Sequence, residues 1–187
     1  MFMHDTASFS AATRVLPVTG FARPVRSGLA AGTRIETASG WRAVETLARG
    51  DLVHTLDGGL RPLVRVDRDW IMPGAGARPV MVTGGLFGTC ADLLLLEGQC
   101  LALETGNPRP EHAIALIPAG ALRGLPGIRP VELREPLQIV TPVFADEEVV
   151  FANTGVRLLC PGADPAAPAW FARLDDGPAR TLAAQAA

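Results

Sequence analysis

Residues 28–53 read GLAAGTRIETASGWRAVETLARGDLV, a run of short strands joined by tight turns. Within it, Thr33-Arg34-Ile35-Glu36-Thr37 is rich in β-branched residues and bounded by Gly32 and by Ser39-Gly40, which marks a strand. Val44 to Ala48 reads as a single helical turn closed by Gly50. Leu52 to Leu56 is a further strand, and Asp57-Gly58-Gly59 supplies the positive φ of a hairpin turn. From Arg61 to Trp70 one strand is expected, with Leu63, Val64 and Val66 as its apolar members.

The same grammar continues to Gly162. Strands are expected at 78–83, at 92–103 with a turn at Glu97-Gly98, and at 112–117. A second helical turn follows over Pro118 to Leu122, then strands at 129–133, 137–145, 149–152 and 156–160. Thr154-Gly155 is the expected last turn. Ala43 to Val53 and Ile117 to Leu125 echo each other, both passing through one helical turn into Arg-Gly. The reading is therefore all-β, with one or two single-turn helices.

Composition bounds the rest. The 187 residues are 48% hydrophobic and 19% charged, enough for one sizeable core and too apolar for a disordered chain. A formal charge of −2 and a pI of 5.9 argue against nucleic acid as the partner, because phosphate binding needs a cationic excess. Every basic residue is Arg, which removes Schiff-base chemistry and any phosphate-loop lysine. No apolar run is long enough for a membrane helix, and the opening residues do not read as a signal peptide, so a cytoplasmic location is the default expectation, with non-classical export as the alternative. Residues 1–25 read as a flexible arm, 26–162 as the domain and 163–187 as a mobile Pro/Ala-rich tail that Trp170 and Phe171 pin locally. Cys90, Cys100 and Cys160 have no paired spacing and read as buried thiols.

The stretch 28–53 resembles the opening of the Hint (Hedgehog/intein) domain: Gly-Thr, a strand, a turn, a short helix, then Gly50-Asp51 before an apolar strand. Val149 to Val156 is similar to the family's closing strand-turn-strand. The likeness brackets residues 26–162 and is strongest to stand-alone bacterial members. It implies a compact horseshoe of pseudo-twofold halves. It also implies a chemistry in which a Cys or Ser attacks the peptide carbonyl before it, a histidine protonates the leaving nitrogen, and a closing His-Asn pair releases the chain.

Carried over position by position, that machinery is missing. The nucleophile position is Gly28, and the first histidine position is Gln99, an amide that moves no proton near neutral pH. The second histidine position is Glu147, and the closing pair falls near Leu159-Cys160. Losing a general acid alone costs about two to four decades in rate. Ser27 is the substitute nucleophile to weigh, although a one-residue slip turns a side chain to the opposite face. His54 alternates with apolar neighbours as a strand-face residue, Glu111-His112 is too tight a pair for a metal, and Asp146-Glu147-Glu148 reads as a solvated turn. No cofactor or metal is expected. The favoured function is a binding or scaffold module for a protein or peptide, with a shallow groove near Gly28 and Gln99. Residual self-cleavage through an ester at Ser27, or an unrelated small β-barrel hydrolase or binding domain, stand as alternatives.

Overall fold

The computed structural model describes residues 27–107, 109 and 113–187. The expected N-terminal arm, which includes His4, and the Glu111-His112 pair lie outside the described residues. In chain order the strands are β1 (Leu29–Ala30), β2 (Arg34–Thr37), β3 (Gly40–Ala43), β4 (Leu52–Thr55), β5 (Gly59–Pro62), β6 (Arg65–Ile71), β7 (Val80–Val82) and β8 (Leu93–Leu95). They continue as β9 (Cys100–Glu104), β10 (Ile114–Pro118), β11 (Ile128–Pro130), β12 (Leu137–Val143), β13 (Glu148–Ala152), β14 (Val156–Cys160) and β15 (Ala172–Arg173). Among the described residues there is one α-helix, α1 (Asp176–Ala186), after the last strand.

These strands form a six-stranded sheet in the order β11-β7-β8-β1-β12-β6 and a nine-stranded sheet in the order β15-β10-β9-β14-β13-β2-β4-β5, with β3 paired to β2. The chain is all-β, as its turn grammar implies. Leu29, Val140, Leu101, Ile117, Val150 and Leu158 come from both sheets into one fully buried cluster. A smaller cluster, with Ile71, Leu96 and Ile139, sits on the other face of the six-stranded sheet.

The opening stretch has a physical explanation for its residue types. Gly32 takes φ +89°, and its N–H donates to Glu45 Oε2 at 2.9 Å, tying the first turn to the short helical turn Val44–Thr46. Gly50 takes φ +88°. Asp51 Oδ2 then accepts from the Ala48 N–H at 2.9 Å and pairs with Arg42 at 2.8 Å. The Gly-Asp pair is thus a structural clip. Its counterpart in the second half is the helical turn Ala119–Leu122, and both turns send residues into the main core.

Three expectations need correction. The stretch from Arg61 to Trp70 is not one strand: it breaks between Pro62 and Arg65, β5 staying in the nine-stranded sheet and β6 passing to the other. Pro62 has no N–H with which to continue a ladder. Residues 163–187 are not a mobile tail. They carry β15 and α1, and Ala179 and Ala183, four apart on one helix face, are fully buried in the main core. Pro178 sits in the first turn of α1, where a missing N–H costs nothing. Phe171 does pack against the domain, but the Trp170 side chain is 75% exposed and lies outside the core clusters.

The last turn also differs in detail. Positive φ falls on Asn153 (+41°) and Thr154 (+87°), while Gly155 is needed for space, since a Cβ there would meet the Gly88 carbonyl oxygen at 2.8 Å. A β-branched residue in that region is strained. Thr154→Gly is therefore expected to stabilise the fold by about 1 kcal/mol. A thermal melt checks it, and a lower midpoint would show the strain is not there to relieve.

Candidate functional site

A cleft of about 360 Å³ opens where the chain enters β1, between the ends of the two sheets. Ser27, Gly28, Gln99, Glu147, Leu159 and Cys160 all line it. Every position to which the sequence carries family chemistry is brought to one place by four elements. Gly28 immediately precedes β1, and Gln99 follows the Glu97-Gly98 turn ahead of β9. Glu147 lies between β12 and β13, and Leu159 and Cys160 end β14.

Gly28 has φ +117°, and a Cβ built on it would lie 2.5 Å from Ile139 Cγ2 and 3.0 Å from Thr141 Oγ1. The position is closed to any side chain by backbone conformation and by packing. The Gly28 N–H donates to Gln99 Oε1 at 3.0 Å. Gln99 is 2% exposed, and its Nε2 donates to the Leu159 carbonyl at 2.8 Å and the Cys100 carbonyl at 3.2 Å. Its amide is fully engaged in holding together three strand ends, the job of a structural bracket.

Glu147 is no solvated turn residue. Its side chain is 12% exposed. Oε1 accepts from the backbone N–H of Trp170 at 2.6 Å and of Phe171 at 3.2 Å, and Oε2 accepts from Arg173 at 2.9 Å. Its neighbour Glu148 faces Arg61 at 3.5 Å. Among the described residues, no group of three or more His, Cys, Asp or Glu is placed to hold a metal ion.

The thiols are poor nucleophiles here. Burial pushes Cys160 up to about 12, with Glu148 adding to the effect. Burial also raises Cys100, a shift that Arg173 opposes and Glu147 reinforces. Both thiols are therefore protonated near neutral pH. Cys90 departs from expectation: it is exposed, and the Thr154 hydroxyl lies 2.7 Å from its sulfur. Ser27 is exposed at the mouth of the cleft. His54, the one histidine among the described residues, pairs with Leu60 across β4 and β5 and does not line the cleft.

Sequence reasoning missed Arg173 and the whole segment that crosses the cleft, Asp164, Pro165, Ala167, Pro168 and Ala169 among its lining residues. The signal was there, in an aromatic pair followed two residues later by Arg in an otherwise bland Pro/Ala stretch. It gains meaning only beside Glu147, which lies 26 residues earlier in the chain.

Comparison with known proteins follows the same outline. A sequence profile of the Hint domain matches residues 27–156. No curated protein matches the chain. Among solved structures, a bacterial intein-like domain from Clostridium thermocellum is similar at 13% identity, covering 71% of this chain and 98% of its own, with a TM-score of 0.48. A splice-inactive variant of the AceL NrdHF class 3 split intein is similar at 13% identity, covering 74% and 100%, with a TM-score of 0.47. The gp41-1 intein is similar at 12% identity, covering 73% and 98%, with a TM-score of 0.45.

Proposed function

The chain belongs to the Hint domain family, and from that premise we propose that it neither splices nor cleaves itself and acts as a binding module for an extended peptide of a protein partner. The carrying observation is Gly28, the residue that the sequence likeness matches to the family's nucleophile: its φ is +117°, and a Cβ there would overlap Ile139 Cγ2 at 2.5 Å. Covalent catalysis needs a side-chain nucleophile with a base in reach, and this position supplies none. Gln99, at the first histidine position, binds the N–H of the Ser27–Gly28 peptide, the bond the family would cut, but has no proton to give its nitrogen. The cleft remains, mostly apolar with Glu147, Asp164 and Arg173 in its lining, and it is the natural seat for a peptide. A net charge of −2 sets nucleic acid aside as the partner. Among the described residues no helix is long and apolar enough to cross a membrane.

The test is the intact mass of the purified chain, tagged at both ends, after long incubation with and without dithiothreitol and hydroxylamine. One unbroken mass is expected in every condition. A fragment boundary at Arg26–Ser27 or Ser27–Gly28 would overturn the proposal, and its loss in Ser27→Ala would assign the chemistry to an ester on that serine.

A further inference from the structure

We propose that residues 163–173 form a displaceable strap, a stretch of the chain's own peptide bound in cis across the cleft, with Glu147 as the clasp that holds it. The strap engages the domain as a bound peptide would. β15 adds in parallel to the outer side of β10, with Ala172 beside Ala115 and Arg173 beside Leu116, which is recognition by strand addition. Two consecutive backbone N–H groups and one guanidinium converge on the single Glu147 carboxylate. Such charge-assisted bonds are about twice as strong as neutral ones. Phe171 packs against the small cluster formed by Ala102, Leu116 and Val149, which Cys100 and Leu159 also join.

Between its ends the strap has little else to hold it. Residues 163–170 are all exposed, and their internal bonds are local, from Ala166 and Ala167 back to Asp164. The anchors lie at its first residue and beyond its ends. On one side Ala163 donates to the Ala145 carbonyl and the Phe144 N–H to the Pro161 carbonyl. On the other, Leu174 donates to the Leu116 carbonyl, and α1 keeps Ala179 and Ala183 in the core. Opening the clasp therefore frees the strap while both anchors stay put, a local event that does not require unfolding. This deepens the peptide-binding reading and rests on it for its consequence: a partner segment enters by taking the strap's place at Glu147 and β10.

Cys100 reports the opening without any partner. It lines the cleft beneath the strap, near enough to Arg173 for the guanidinium to favour its thiolate. In a Cys90→Ser background Cys160 is buried, so alkylation by a maleimide reads Cys100. Glu147→Ala and Arg173→Ala are each expected to speed labelling about tenfold. The two changes move the thiol's electrostatic surroundings in opposite directions, because Glu147 disfavours the thiolate and Arg173 favours it. Acceleration in both is thus opening and not charge. Arg173 is half-exposed, so its replacement leaves the fold intact, which a thermal melt confirms. A synthetic peptide with the sequence of residues 163–175 is expected to slow labelling again in Arg173→Ala, where Glu147 is vacant, and not in Glu147→Ala. Unchanged labelling in both variants, acceleration in Glu147→Ala alone, or no protection by the peptide would each overturn the strap. Self-cleavage in the mass experiment would instead overturn the function and leave the strap standing.

Discussion

Gly28→Cys, which places a thiol at the position that the sequence likeness matches to the family's nucleophile, is expected to yield no cleaved product and to lose about 4 kcal/mol of stability. Two costs add. A non-glycine residue held at φ +117° carries about 1–3 kcal/mol of backbone strain. A Cβ within 2.5 Å of Ile139 Cγ2 overpacks β12, for about 1–3 kcal/mol more. Gly28→Ala carries the same Cβ and is expected to match it, which separates geometry from thiol chemistry. Gly32 is the internal control: its φ is +89°, but no atom lies within 4 Å of its missing Cβ. Gly32→Ala should therefore cost about 1 kcal/mol. Urea unfolding measures all three. A Gly28→Cys chain as stable as its parent would show that the cleft still has room for the family's nucleophile, and the proposed function would lose its main support.

How much of this was legible in the sequence depends on how far apart the interacting residues lie. Gly32, Glu45, Gly50 and Asp51 work within about twenty positions of one another, and their spacing alone marks the opening stretch. The alternation in Val156 to Cys160 likewise announces a strand with one face in the core. The break at Pro62 was readable too, from its missing N–H, had the apolar run beyond it not suggested continuity. Thr154 is harder. A Thr-Gly pair normally places the positive φ on glycine, but Gly155 is taken by the close pass of Gly88, a contact spanning 67 positions that no local pattern reports. The C-terminal segment was misread for the same reason. Its Ala residues look featureless until Ala179 and Ala183 are set against the helical turn at Ala119–Leu122, where small side chains let a helix lie close. Position-by-position likeness brought Gly28, Gln99, Glu147, Leu159 and Cys160 to one list, and the cleft brings them to one place. What the residue types at those positions now do, Gln99 as bracket and Glu147 as clasp, follows from partners that only the fold assembles.

The Gln99 bracket makes the second large prediction. Gln99→Leu keeps the volume and removes both polar functions, leaving the buried Gly28 N–H without its acceptor and the Leu159 and Cys100 carbonyls without this donor. The expected cost is about 3 kcal/mol, since each orphaned buried group forfeits about 1–3 kcal/mol. Gln99→His should cost less. A neutral imidazole accepts at one nitrogen and donates at the other, so it can bridge Gly28 and Leu159 as the amide does. That partial rescue carries a pH signature of known sign. The bridge needs the neutral ring, so the folded state holds this histidine below its unfolded value of about 6.5. Its contribution is then complete above about pH 6.5 and is lost as pH falls toward the folded value, where the unfolded chain binds the extra proton. The parent, with an amide that does not titrate, lacks this loss. Urea unfolding of the three chains at pH 7.5 and 5.5 separates the possibilities: equal stability of Gln99→Leu and parent would mean the amide only fills space. A Gln99→His chain that loses no stability between the two pH values, relative to the parent, would mean the imidazole does not accept from Gly28. The ordering parent, His, Leu is what a residue held in place by its bonds requires, and it assigns Gln99 the closing of the strand ends around the cleft.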